Sequence, residues 1–65
     1  MAFCENVKKA RELKGLTQAE LARRISVSQT AVANYERGTI VPTIIVGVEL
    51  AEQLGTTVEK LVRGV

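Results

Sequence analysis

Apolar residues recur along this chain at steps of three and four rather than two, and threonines, serines and glycines interrupt them at short intervals. Val7, Ala10 and Leu13 mark a first helix from about Glu5, with Gly15 able to close it in the left-handed conformation. Thr17-Gln18-Ala19-Glu20 is a capping box: the threonine oxygen accepts from the Glu20 backbone N–H, and the glutamate reaches back to the Thr17 N–H. Leu21, Ala22 and Ile25 then supply the buried stripe of a short second helix. Ser28 caps a third, with Ala31, Val32 and Tyr35 on its inner side and Gly38 at its end.

Pro42 blocks extension from upstream, and Thr43 opens a fourth helix that runs to Leu54 and stops at Gly55. Either Thr56 or Thr57 caps a last helix carrying Val58, Leu61 and Val62. The β-branched run Ile44-Ile45-Val46 lowers local helix propensity, but a strand there lacks a partner, so helix is favoured. The expected fold is an all-α, compact five-helix bundle spanning residues 1–65 as one domain.

Composition narrows the chemistry. Cys4 is the only cysteine among 65 residues and histidine is absent, so an internal disulfide is impossible and the usual zinc spacings are missing. Cys4 reads as a bland position in or before the first helix rather than a reactive thiol. With no metal constellation and no phosphate-binding glycine loop, the chain is expected to use no cofactor, to bind no small-molecule substrate and not to be an enzyme. No apolar run approaches the roughly 18 residues of a membrane helix, and no basic segment precedes an apolar stretch at the amino end, so a cytoplasmic protein is expected. Only Phe3 and Tyr35 are aromatic, which leaves the core to Leu, Ile, Val and Ala.

Charge is unevenly spread. Residues 1–38 hold seven cations against four acids, whereas residues 39–65 hold Lys60 and Arg63 against Glu49, Glu52 and Glu59. A basic half beside a slightly acidic one suits a protein that offers one face to a polyanion, although solvated faces carry such charge routinely.

Between the caps at Thr17 and Ser28 lie two short helices joined by a tight turn at Ile25-Ser26-Val27. That is the helix-turn-helix unit, here 17–38, in which one helix braces while the next projects its first residues into a major groove about 12 Å wide. The segment GLTQAELARRISVSQTAVANYERG, Gly15 to Gly38, resembles the phage repressor and Cro (XRE-type) family. The resemblance continues through Val41-Pro42-Thr43 and through Glu49 to Val62, covering roughly residues 5–63. It implies a lambda-repressor-like five-helix DNA-binding domain, commonly a transcriptional regulator acting as a dimer.

Carried over by position, the resemblance puts Gln29, Thr30 and Asn34 at base contacts. Their chemistry suits this: Gln and Asn pair with adenine N6 and N7, and Thr hydrogen-bonds or touches a thymine methyl. The alternative is that they are ordinary surface residues of a helix. Gln18 falls at a phosphate-contacting position heading the second helix. Arg37 is a second phosphate candidate, and Thr17 serves as cap more readily than as contact. Lys14, Arg23 and Arg24 are weaker candidates. The resemblance also makes Arg11 and Glu36 an internal ion pair between the first and third helices.

The chain departs from the family in three places. Ser26 stands where glycine is usual. The loop after Gly38 reads Thr39-Ile40-Val41 where lysine or arginine is common, with Ile40 expected to plug the core beneath it. Gly47 and Ile45 exchange the expected characters of their positions, which implies either close backbone contact at Gly47 with Ile45 in a partner surface, or a shifted helix start. Val41, Ile45 and Val62 are the expected dimer surface, and two-fold symmetry then matches a palindromic double-stranded operator with half-sites about 34 Å apart. The leading function is a sequence-specific DNA-binding transcriptional regulator, a repressor, associated with the nucleoid. The rival is an antitoxin-like or adaptor module that keeps the fold without reading DNA. The chain is either a complete small regulator or the DNA-binding part of a longer one.

Overall fold

The last four of the five helices each start on a side-chain oxygen, and the last three stop on a left-handed glycine. A computed structural model describes residues 3–64, with the order α1 (Phe3–Leu13), α2 (Gln18–Arg24), α3 (Gln29–Arg37), α4 (Ile44–Leu54) and α5 (Val58–Arg63). No strand occurs among the described residues. Thr17 closes both halves of its capping box: Thr17 Oγ1 accepts from the Glu20 N–H at 3.0 Å, and Glu20 Oε1 accepts from the Thr17 N–H at 2.8 Å. Ser28, Thr43 and Thr57 cap α3, α4 and α5 in the same sense. Thr57 rather than Thr56 heads α5, because the Thr56 N–H is taken by the Ala51 carbonyl in closing α4.

The core is one cluster, built from Val7, Leu21, Ala22, Ile25, Val32, Tyr35, Leu50, Ala51, Leu54 and Leu61. All five helices contribute to it. The α3 helix packs on both α2 and α1, while α4 and α5 pack on each other and on α1. The result is a helix α3 held from behind on two sides, with its other side turned outward.

Three expectations need correction. The first helix begins at Phe3, before Glu5, and Leu13 is exposed although Val7 is fully buried and Ala10 packs on the core. Two steps of three residues turn a side chain about 120° away from its starting direction, which carries Leu13 off the inner face. Ile40 keeps 49% of its surface exposed and does not plug the core. Cys4 lies against the end of α3, its Sγ 3.3 Å from where a Cβ on Gly38 would sit. Finally, α4 starts regularly at Ile44, with the Gly47 N–H bonded to the Thr43 carbonyl at 2.8 Å, so its start is not shifted. Among the described residues none outside its own helix backbone approaches Gly47 closely: a Cβ there would meet no such atom within 4 Å.

Candidate nucleic-acid interface

The turn between α2 and α3 sets the geometry of the site. Ile25 ends α2, Ser26 takes a left-handed φ of 60°, and the Val27 N–H returns to the Ala22 carbonyl at 3.0 Å. Ile25 is buried and Val27 packs against the core, so the turn is pinned on both sides of Ser26. Ser26 is the sole non-glycine with positive φ among the described residues, where an L side chain is disfavoured.

Beyond the turn, Gln29 and Thr30 are exposed on the first turn of α3, while Val32 and Tyr35 point into the core. Asn34 is half-buried one turn further on, and its Oδ1 accepts from the Arg37 guanidinium. Ala33 beside it is half-buried. Gln29, Thr30 and Asn34 therefore share one helix, with Gln29 and Thr30 exposed to solvent.

Gln18 is the first residue of α2, and its Nε2 donates to Glu36 Oε1 on α3 at 3.0 Å. That carboxylate is the centre of a network. Arg11 donates to it twice, Nε to Oε2 at 2.6 Å and Nη2 to Oε1 at 3.1 Å, and its Nη1 donates to the Leu16 carbonyl at 2.7 Å. The two side chains keep 11% and 3% of their surface exposed. The hydrogen bond that Arg11 donates to Glu36 raises the Arg11 pKa, against a smaller opposing effect of burial. Arg11 thus joins α1, the α1–α2 connection and α3 at one point, and no buried side-chain nitrogen or oxygen among the described residues lacks a partner. The spacing alone gave no signal for the Gln18–Glu36 bond or the Leu16 contact, because both depend on how α2 meets α3.

Electrostatics at the head of α2 are local. The Thr17 backbone and hydroxyl bonds lower the Glu20 pKa, with smaller help from Arg23 and Arg24. The α3–α4 loop places no cation near this face, since it carries Thr39, Ile40 and Val41.

Val41, Ile45 and Val62 are exposed by 82%, 71% and 52%. Val41 and Val62 line a shallow apolar groove of about 350 Å³, together with Phe3, Pro42, Ile44 and Val58, and Gly47 forms part of its wall. Ile45 does not line it; its neighbour Ile44, which the sequence reading passed over, does. The visible signal was spacing, since Ile44 and Gly47 lie three apart on α4.

A pair of capped helices joined by this turn, with the second braced by a core and its first turn bare, defines a helix-turn-helix DNA-binding domain. The chain belongs to the helix-turn-helix family of phage repressor and Cro type, whose model matches residues 7–61. It is 42% identical over 57 residues to the uncharacterized HTH-type transcriptional regulator y4dJ of Sinorhizobium fredii, covering 88% of this chain and 74% of that protein. Among solved structures it is similar to the P22 c2 repressor in complex with a synthetic operator, with a TM-score of 0.95 at 23% identity over 100% of this chain and 98% of that one. At that identity the likeness is one of fold. It is also similar to SinR, the master regulator for biofilm formation, in complex with DNA, with a TM-score of 0.84 at 25% identity, covering 91% of this chain and 95% of that one. Fold and family are those of DNA-binding regulators.

Proposed function

We propose that this domain binds double-stranded DNA sequence-specifically as a transcriptional regulator, with α3 in the major groove. One arrangement carries the reading: the first turn of α3 is exposed at Gln29 and Thr30 while Val32 and Tyr35 lock the same helix to the core. Gln29, Thr30 and Asn34 read base edges. Gln18 holds a phosphate with the unpaired N–H groups of the first turn of α2, supported by Arg37 and by the Thr17 end of that helix.

The relatives support the same reading, since one is a transcriptional regulator by name, one a repressor solved with a synthetic operator and one a master regulator solved with DNA. Repression is favoured over activation because occluding a promoter needs only a bound protein, whereas activation needs a further contact to polymerase. The domain works as a homodimer on a palindromic operator, joined through the exposed apolar side at Val41, Ile45 and Val62, in the cytoplasm on the nucleoid. No catalytic reaction is assigned to it.

Selection of bound duplexes from a random pool tests this, with Asn34→Ala run beside the wild type. The expected result is a defined palindrome for the wild type and a degenerate position for the variant. No enrichment even at low salt would reject the reading.

A further inference from the structure

Asn34 and Arg37 stand three residues apart on α3, so their side chains share a face. The Arg37 guanidinium donates through Nη2 to Asn34 Oδ1. A carboxamide has one acceptor end and one donor end, and which of them faces a ligand is decided by the partner that holds the other. A guanidinium carries donors only, so this partner turns the amide's oxygen, not its nitrogen, toward itself. With the oxygen turned to Arg37, Nδ2 and its two N–H groups are the end that Asn34 offers to a base.

Resting on the reading of α3 as the groove-reading helix, we propose that Arg37 is a positioning residue that sets the hydrogen-bond polarity of Asn34, and thereby selects guanine over adenine at the base it meets. In the major groove adenine shows the N7 acceptor beside the N6 donor, whereas guanine shows two acceptors, N7 and O6. An amide with both ends available pairs with adenine. One whose oxygen is turned toward a guanidinium presents its N–H groups to the base first, and these match guanine. The other guanidinium nitrogens of Arg37 stay available for a phosphate, so positioning and backbone contact are compatible.

The two roles differ in what they do to sequence preference. Loss of a phosphate contact weakens binding about uniformly over all sequences, whereas loss of a base-reading geometry changes one position. The experiment is position-resolved selection with the wild type, Asn34→Ala and Arg37→Met; Arg37 is exposed, and a melting curve for each variant verifies folding. Asn34→Ala identifies the position by making it degenerate. There the wild type is expected to prefer guanine over adenine about tenfold, within the range of one good base contact. In Arg37→Met that preference falls within about twofold or turns to adenine, while the other positions keep their rank.

A wild-type preference for adenine at that position, read without any change at Arg37, overturns the proposal. So does an Arg37→Met variant that weakens every sequence equally with the guanine preference intact, since Arg37 is then a phosphate contact alone. A position profile that Asn34→Ala leaves unchanged overturns it as well. Failure of the wild type to select any sequence is a separate result, which rejects groove reading itself.

Discussion

Arg11 and Glu36 meet across 25 residues of sequence, with both carboxylate oxygens engaged by the guanidinium at 2.6 and 3.1 Å. Replacing Arg11 by alanine strands a carboxylate that is 3% exposed. Gln18 still donates to that carboxylate, so the loss is expected at about 2–4 kcal/mol, toward or below the usual cost of breaking a buried pair. Urea unfolding measures it as a lower midpoint with an unchanged slope. A midpoint equal to that of the wild type would show that the pair contributes nothing to the fold.

Ser26→Gly tests the turn. A serine at φ 60° carries a strain that glycine does not, so the variant is expected to gain about 1 kcal/mol. Thermal unfolding gives the sign directly. A lower melting temperature means that the Ser26 side chain supplies something the left-handed backbone does not explain.

Gly47→Ala is expected to stabilise as well, by about 1 kcal/mol, because alanine is the better helix former in a helix interior. Among the described residues outside its own helix backbone the added methyl meets no atom within 4 Å, so no steric penalty from them opposes it. Denaturant titration of the purified variant is the check, and destabilisation would show that Gly47 is needed for a close approach in an assembled form.

Glu20 ties stability to acid. Its pKa is lowered on folding by the Thr17 bonds, so its contribution is fully present above the unfolded-state value and is lost as pH falls through the folded one. Glu20→Gln preserves an acceptor for the Thr17 N–H but does not titrate. Melting temperatures followed from about pH 7 down to about pH 3 should fall less for the variant than for the wild type over that limb. Parallel curves would assign the acid sensitivity to other carboxylates.

Salt dependence separates neutral from charged phosphate contacts. Each neutralised phosphate adds about −0.9 to the slope of log affinity against log salt. Gln18 and Thr17 are uncharged, and the loop after Gly38 brings no cation, so on the proposed reading Arg37 is the main charged contact in each protomer. The slope is therefore expected to be shallower than about −8 for a bound dimer. A steeper slope, measured by fluorescence anisotropy, would bring Lys14, Arg23 and Arg24 into the interface.

The helices were legible because their signals are local. Threonine or serine before an apolar stripe and glycine after it are chemistry within one turn, and they located the starts of α2, α3 and α4 correctly. Ile40 and Leu13 were misjudged because burial depends on what else reaches the same space. Cys4 lies against the end of α3, and Leu13 drifts off the inner face of α1. In the site, residue types and family spacing singled out Gln18, Asn34 and Arg37 separately. Their hydrogen bonds to Glu36 and to one another were missed for different reasons. The Gln18 bond is set by the angle between two helices, whereas the Asn34–Arg37 spacing of three was open to reading from sequence.

The bond from Gln18 to Glu36 has a consequence for how operator binding is driven. A long polar side chain that is free in solution loses about 0.5–1.5 kcal/mol of rotamer entropy when an interface immobilises it. Gln18 is held by a carboxylate that Arg11 has already fixed, so its rotamer is chosen when the chain folds. On the proposed reading, that ordering loss is absent from the encounter with DNA, and the phosphate clamp at the head of α2 is pre-organised rather than assembled on contact.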